Sequence, residues 1–317
     1  MKGISKIPVA MLRVETYNAA ELDDAVAKLF SSIGLQSVRA VNVLVKPNLL
    51  AATPPDFLPC THPALVRAVC LHLLNHGALV RVGDSPSFGK GTGIADKIGL
   101  TRALSDLPVA LVDLDRPKKI RLPFGGTAPL SSWALDSDFI FNLPKLKTHH
   151  MAGVTAAVKN LFGCVSGLNK AFSHVRYGDR GADFERLLLE LTDVLPPVVS
   201  LIDGVTAMHG NGPVGGKPYQ LNLLAASRST AALDTAVYHT LGLKPEGAPL
   251  WSEALNRGQP GTRIEELNFP LESPERFDAS GFVIHQRLRS FLFLPGGRAR
   301  RRLKRIRDAV IGRGHRL

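Results

Sequence analysis

The chain has 317 residues, 45% hydrophobic and 21% charged, with three cysteines and a formal charge of +12 at pH 7. That composition fits a globular protein with an ample core, and no apolar run approaches the ~20 residues of a membrane-spanning helix. Cys60, Cys70 and Cys164 are too few and too scattered for a disulfide scaffold, a zinc ribbon or a ferredoxin-type cluster, which points to a reducing compartment, the cytoplasm.

The first twenty residues lack an apolar h-region and a small-residue cleavage site, so no signal peptide is expected. From there short β-rich runs alternate with helical patterns, the mark of a parallel sheet covered by helices. VNVLV (41–45) reads as a buried strand. THPALVRAVCLHLLNHG (61–77) reads as a helix with Thr61 as N-cap, Pro63 in its first turn and Gly77 as its stop. Strands follow at ALVRV (78–82), PVALVDL (108–114), DFIFN (138–142), VVSLI (198–202) and LNLLAA (221–226). Helices are expected at about 153–163 and at 229–242, and the Pro/Gly-rich stretches 53–63, 209–218 and 245–261 read as loops. The expected fold is an open, mainly parallel α/β sheet with helices on both faces, Rossmann-like in its layers, in a single domain over residues 1–284.

The strands run into polar residues: Lys46-Pro47-Asn48, Gly83-Asp84-Ser85, Lys145-Leu146-Lys147 and Asp203-Gly204. Ligands of open α/β sheets bind outside the carboxyl ends of the strands, so these residues are candidates for one site. If 145–149 stays extended, Lys145, Lys147 and His149 share a face. Lys159 sits among Ala, Val, Leu and Phe, a costly place for a charge unless it holds an anion or pairs with Asp84 or Asp203. Lys46, Asn48, Ser85, Lys145, Lys147 and Asn160 are therefore candidate binding residues for a small anionic molecule. His149, Lys159 and Asp84 are candidates for acid–base work, since imidazole titrates near physiological pH. A metal site would draw on Asp84, Asp203 and His149, with His62, His150, His174 and His209 as further nitrogen donors, although no ligand spacing is diagnostic.

Two stretches are rich in glycine. GDSPSFGKGTG (83–93) follows a strand and precedes a helix, a context that can cradle an anion, but it is not a G-x-x-x-x-G-K-[ST] loop. GNGPVGG (210–216) contains G-x-G-x-x-G in the wrong context, with Pro213 inside it and a strand after it, so it is no dinucleotide fingerprint. It reads as a tight loop beside the cleft.

Residues 285–317 hold eleven Lys/Arg against one Asp, a net +10 of the chain's +12. Leu303, Ile306 and Val310 lie between the arginines, which predicts a basic amphipathic tail suited to an anionic membrane surface, at the inner membrane face, more than to nucleic acid.

KPNL (46–49), THP (61–63), GDSP (83–86), LPKLKTH (143–149), AVKNLFGCVSG (157–167), DGVTAMHGNGP (203–213) and ALD (232–234) together resemble the domain-of-unknown-function family 362, over about residues 40–270. The resemblance implies a redox association, because members often carry an appended ferredoxin-like module. The cysteine cluster of that module is missing here, so no intrinsic iron–sulfur cluster is expected and electrons would come from an external donor protein. The expectation is an enzyme, in class an oxidoreductase, that binds a small anionic substrate, an anionic redox cofactor or a metal ion. The alternatives are a non-catalytic cofactor-binding or delivery protein and a peripheral membrane protein acting through 285–317.

Overall fold

The computed structural model describes residues 6–35, 38–54, 57–86, 89–166 and 182–284. The basic tail, like His174, lies outside the described residues. The strands are β1 (Ile7–Arg13), β2 (Asn42–Pro47), β3 (Leu79–Asp84), β4 (Ala110–Asp113), β5 (Pro117–Arg121), β6 (Thr127–Ser131), β7 (Phe139–Leu143), β8 (Lys145–His149), β9 (Gly153–Thr155), β10 (Val198–His209), β11 (Lys217–Ser227) and β12 (Leu267–Asn268). The main sheet runs β12-β1-β11-β10-β7-β2-β3-β4, and β5 and β6 form a separate hairpin. From β10 to β4 every pairing is parallel. At the other edge β11 is antiparallel to both β10 and β1.

Both faces of the sheet are covered, and alternation along single strands shows it. Val43 and Val45 pack into one core with the helices Ala19–Ser32 and Pro63–Asn75, while Leu44 between them points into the opposite core with the helix Asp183–Val194. Ala10 and its neighbours Val9 and Met11 divide the same way, the latter two meeting the helix Thr230–Thr240. The expected α/β layering is therefore present, with an antiparallel edge added.

Three elements differ from the sequence reading. The stretch 245–261, read as a loop, carries the helix Pro249–Asn256. The helix at 63–75 takes His62, not Thr61, as its N-cap: His62 Nδ1 accepts from the Ala64 N–H, and Pro63 supplies the first helical position, whose N–H would be unsatisfied anyway. Thr61 is fully buried and does other work, accepting from the Asn48 N–H and donating to the Leu143 carbonyl. The helix expected over 153–163 begins late. Gly153 turns at φ +71 and Gly153–Thr155 folds back antiparallel on β8, leaving a short helix Ala157–Asn160 and a 3-10 turn Leu161–Cys164. The Asp234 carboxylate, buried in the helix Thr230–Thr240, fixes that later start by accepting from the Ala157 and Val158 N–H groups at 2.6 and 3.1 Å.

β7 and β8 are one extended path along β10, broken at Pro144. Val198–Ser200 pair with Ile140–Asn142, and beyond the break Asp203 pairs with Lys145. Proline has no N–H to continue the ladder, and the Asp203 N–H donates to its carbonyl at 2.8 Å. This jog carries Lys145 and Lys147 over the carboxyl ends of the neighbouring strands.

Candidate functional site

The carboxyl ends of β2, β3, β7 and β8 form two connected polar clusters. In the first, Lys46 Nζ meets Asp84 Oδ1 at 2.8 Å with both side chains buried. The other oxygen, Asp84 Oδ2, accepts from the Leu49 N–H at 2.8 Å. Gly163 packs so tightly over this pair that a Cβ would collide with Asp84 and with the end of Lys46. A chain of amides adjoins it. Asn48 Nδ2 donates to Asn160 Oδ1 at 2.7 Å, Asn160 Nδ2 donates to Asn142 Oδ1 at 2.8 Å, and Asn142 Nδ2 donates to Ala157 O and to Ser200 Oγ. Lys147 closes this cluster, donating to Asn48 Oδ1 at 2.6 Å and to Pro59 O at 2.7 Å.

In the second cluster Lys145 Nζ lies 2.9 Å from Asp203 Oδ2 and donates to the Tyr17 hydroxyl at 3.1 Å. Tyr17 donates to Asp203 Oδ1 at 2.7 Å and accepts from the Thr206 N–H. The His62 N–H donates to Asp203 Oδ2, and the His62 ring stacks on Tyr17 with centroids 3.7 Å apart. Burial, with Asp203 beside it, drives the Tyr17 phenol well above its usual range, so it stays a proton donor. Burial lowers the His62 imidazole, and Asp203 opposes that.

The electrostatics single out two lysines. Lys46 and Lys145 are each neutralised by a carboxylate, whereas Lys147, 2% exposed, touches only neutral acceptors. Burial draws its ammonium down to about 7; Cys60 and Asp84 pull the other way, and Lys159 and Lys145 push it further down. Lys159, half-buried on the short helix, is drawn by burial down to about 8, against the pull of Glu185. Burial raises the Cys60 thiol, which donates to Ala51 O.

The remaining expected residues fall as follows. His149 lies on the buried strand β8 with its Nδ1 accepting from the Met151 and Ala152 N–H groups. Its ring stacks on His150 at 4.8 Å. Ser85 is buried next to Asp84. Asp84 and Asp203 face separate lysines, and among the described residues no three His, Cys, Asp or Glu side chains are grouped as metal ligands. The glycine-rich turn after β3 leads to the helix Gly91–Lys97, whose first turn is already met by a carboxylate: Asp113 Oδ1 accepts from the Thr92 N–H at 3.0 Å. The turn at 210–216 joins β10 to β11 and borders β8, with the Gly212 N–H donating to Thr148 Oγ1.

Sequence reasoning missed Tyr17, and it missed Asn142 and Asp234 as parts of the site. Tyr17 follows β1, and nothing local marks its approach to Asp203, 186 positions away. Asn142 did carry a signal, an amide at the end of an otherwise apolar strand.

The model of the domain-of-unknown-function family 362 matches residues 43–239. The "Thylakoid-associated protein sll1697" of Synechocystis sp. is 35% identical over 278 residues, covering 84% of each chain. Two solved structures are more distant. A protein from Thermotoga maritima is 14% identical with a TM-score of 0.42, covering 65% of this chain and 55% of its own. The lactate racemase apoprotein from Thermoanaerobacterium thermosaccharolyticum is 13% identical with a TM-score of 0.45, covering 71% of this chain and 55% of its own. The chain thus spans about half the length of either solved structure.

Proposed function

The chain belongs to the domain-of-unknown-function family 362, and from that premise we propose that it is an enzyme acting on a small anionic molecule held at the strand carboxyl ends between Lys147 and Lys159. The observation that carries this reading is an uneven distribution of charge. Lys46 and Lys145 are neutralised by Asp84 and Asp203, while Lys147 and Lys159 repel one another and neither has a carboxylate within ion-pair distance among the described residues. A charge withdrawn from water without a carboxylate beside it is costly, and an incoming carboxylate or phosphate offsets that cost at Lys159 and, in its charged form, at Lys147. A lysine drawn to near neutrality also suits proton transfer at physiological pH, which a merely structural ion pair does not need.

The test is calorimetric titration of glycolate and of inorganic phosphate into the wild type and into Lys159→Ala. The reading expects affinity to fall about tenfold in the variant. It also expects affinity to weaken as pH rises from 7 through 8, because both lysines lose charge across that interval. Undetectable binding of either anion at low salt, or equal affinity in the two proteins, refutes it.

We also propose that residues 285–317 dock the protein on an anionic membrane surface. Support comes from the description of the 35% identical relative as thylakoid-associated and from the eleven basic residues interspersed with Leu303, Ile306 and Val310. Among the described residues no helix is long and apolar enough to cross a membrane. Flotation with vesicles of anionic lipid should recover the full chain and lose a variant deleted of 285–317, and equal recovery of both sinks the idea.

A further inference from the structure

We propose that Lys147 forms an imine with the carbonyl carbon of a small anionic aldehyde or 2-oxo acid. This rests on the anion-binding reading and names the substrate class of the same site.

The argument begins with what Lys147 touches. Its two acceptors are Asn48 Oδ1 and Pro59 O, both neutral, and among the described residues no third acceptor meets its nitrogen. An ammonium carries three N–H donors, so one would remain unmet in a buried place. A free amine carries two, both satisfied here, and keeps a lone pair at which, among the described residues, no donor is directed. The surroundings are thus matched to the amine, the form that attacks carbonyl carbon.

The amide chain fixes which atom Asn48 presents to Lys147. Amide oxygen and nitrogen are told apart by their partners, and here one end of the chain is unambiguous. The Ala157 carbonyl can only accept, so Asn142 must turn its Nδ2 toward it. Asn142 Oδ1 is then left to accept from Asn160 Nδ2, and Asn160 Oδ1 accepts from Asn48 Nδ2. Asn48 therefore has to present its oxygen to Lys147. Three asparagines in series fix an acceptor, not a donor, against that amine. Lys46 and Lys145 are the internal contrast: each meets a carboxylate oxygen, at 2.8 and 2.9 Å.

In the reaction the Nζ lone pair bonds to the carbonyl carbon and the C=O π pair moves to oxygen. One amine proton passes to that oxygen, giving the carbinolamine. Its hydroxyl then leaves with the second amine proton as water, and the imine remains. One amine and one carbonyl compound give one imine and one water, with no oxidant or reductant. Lys159 neutralises the substrate's anionic group, which also orients its carbonyl.

The test uses the full-length protein with glyoxylate as probe and sodium cyanoborohydride, which reduces an imine to a stable carboxymethyl-lysine. Peptide mapping at neutral pH should find Lys147 labelled at least about tenfold more than the exposed Lys28 and Lys118, since each pH unit of depression raises the free-amine fraction about tenfold. Lys46 and Lys145 should stay unlabelled. Glycolate, which has no carbonyl, is titrated alongside. Glycolate binding with Lys147 unlabelled overturns the imine and leaves the anion site standing. Absence of both binding and labelling overturns both. Label spread evenly over exposed lysines and absent from Lys147 overturns the imine as well.

Discussion

Replacing Lys147 by methionine should remove a rise of stability with pH that the wild type shows. Methionine keeps the length of the stem and removes the amine. In the fold burial draws the Lys147 ammonium from 10.5 down to about 7. At ~1.36 kcal/mol per pH unit that is about 5 kcal/mol of unfavourable free energy. The sign follows from proton counting. Below about pH 7 the amine is charged in both states and the fold bears the whole cost. Between about 7 and 10.5 the unfolded chain binds a proton that the fold does not, so wild-type stability rises with pH; above that range the cost is gone. The substitution also leaves Asn48 Oδ1 and Pro59 O without their donor, about 1–3 kcal/mol at every pH. The Met variant should therefore be the more stable protein below pH 7 and the less stable one near pH 10.5, and the two profiles should cross. Cys60, Asp84, Lys145 and Lys159, which act on Lys147, are present in both proteins, so their own titrations largely cancel in the difference. Urea unfolding at a series of pH values gives both profiles. Parallel profiles would mean that Lys147 stays charged in the fold, and the reasoning about the site would fail with them.

Three further substitutions probe the neighbours, each read by urea unfolding. Asp84→Ala leaves Lys46 buried without its carboxylate and Leu49 N–H without its acceptor, and should cost about 3–5 kcal/mol; a loss under about 1 kcal/mol would show the pair to be hydrated. Gly163→Ala places a methyl group against that same pair and should cost about 1–3 kcal/mol, whereas an unchanged midpoint would mean that the turn Leu161–Cys164 yields freely. Asp234→Ala removes the cap from the helix that carries Lys159 and Asn160, so glycolate affinity should fall along with stability by about 1–3 kcal/mol. Burial pushes the Asp234 carboxyl up to about 7, and the variant should accordingly lose less at high pH, where the wild type holds a buried charge.

Much of this site was legible before any coordinates. Lys46, Asp84, Lys145, Lys147 and Asp203 stand out because each is a charge at the end of a run of apolar β-formers, where hydrophobic periodicity alone would have continued. The extended path through 145–149 was also readable. The pairing was not, because which carboxylate meets which lysine depends on strand order, and the order β10-β7-β2-β3 brings Lys46 to Asp84 and Lys145 to Asp203 through contacts between distant segments. The misplaced helix start has the same origin. Val154, Val158 and Leu161 do have helical spacing, but hydrogen bonds from Gly153–Thr155 to β8 and the cap from Asp234 override it. The stretches 7–13 and 19–32 yielded no elements, although Asn18 does cap a helix by accepting from the Ala20 N–H.

The place of β1 in the sheet has a consequence for synthesis. The partner of β1 across the sheet is β11, synthesised about 200 residues later, with Val9 opposite Ser227. At about 5–20 residues per second the nascent chain carries an apolar strand without its mate for roughly 10–40 s. Tyr17 waits as long for Asp203, so neither polar cluster can be completed until most of the chain has emerged. Assembly of the sheet therefore waits on strands far apart in sequence, and a chaperone that shields residues 7–13 should raise the yield of native protein more than one that acts on the hairpin of β5 and β6, whose partners are adjacent in sequence.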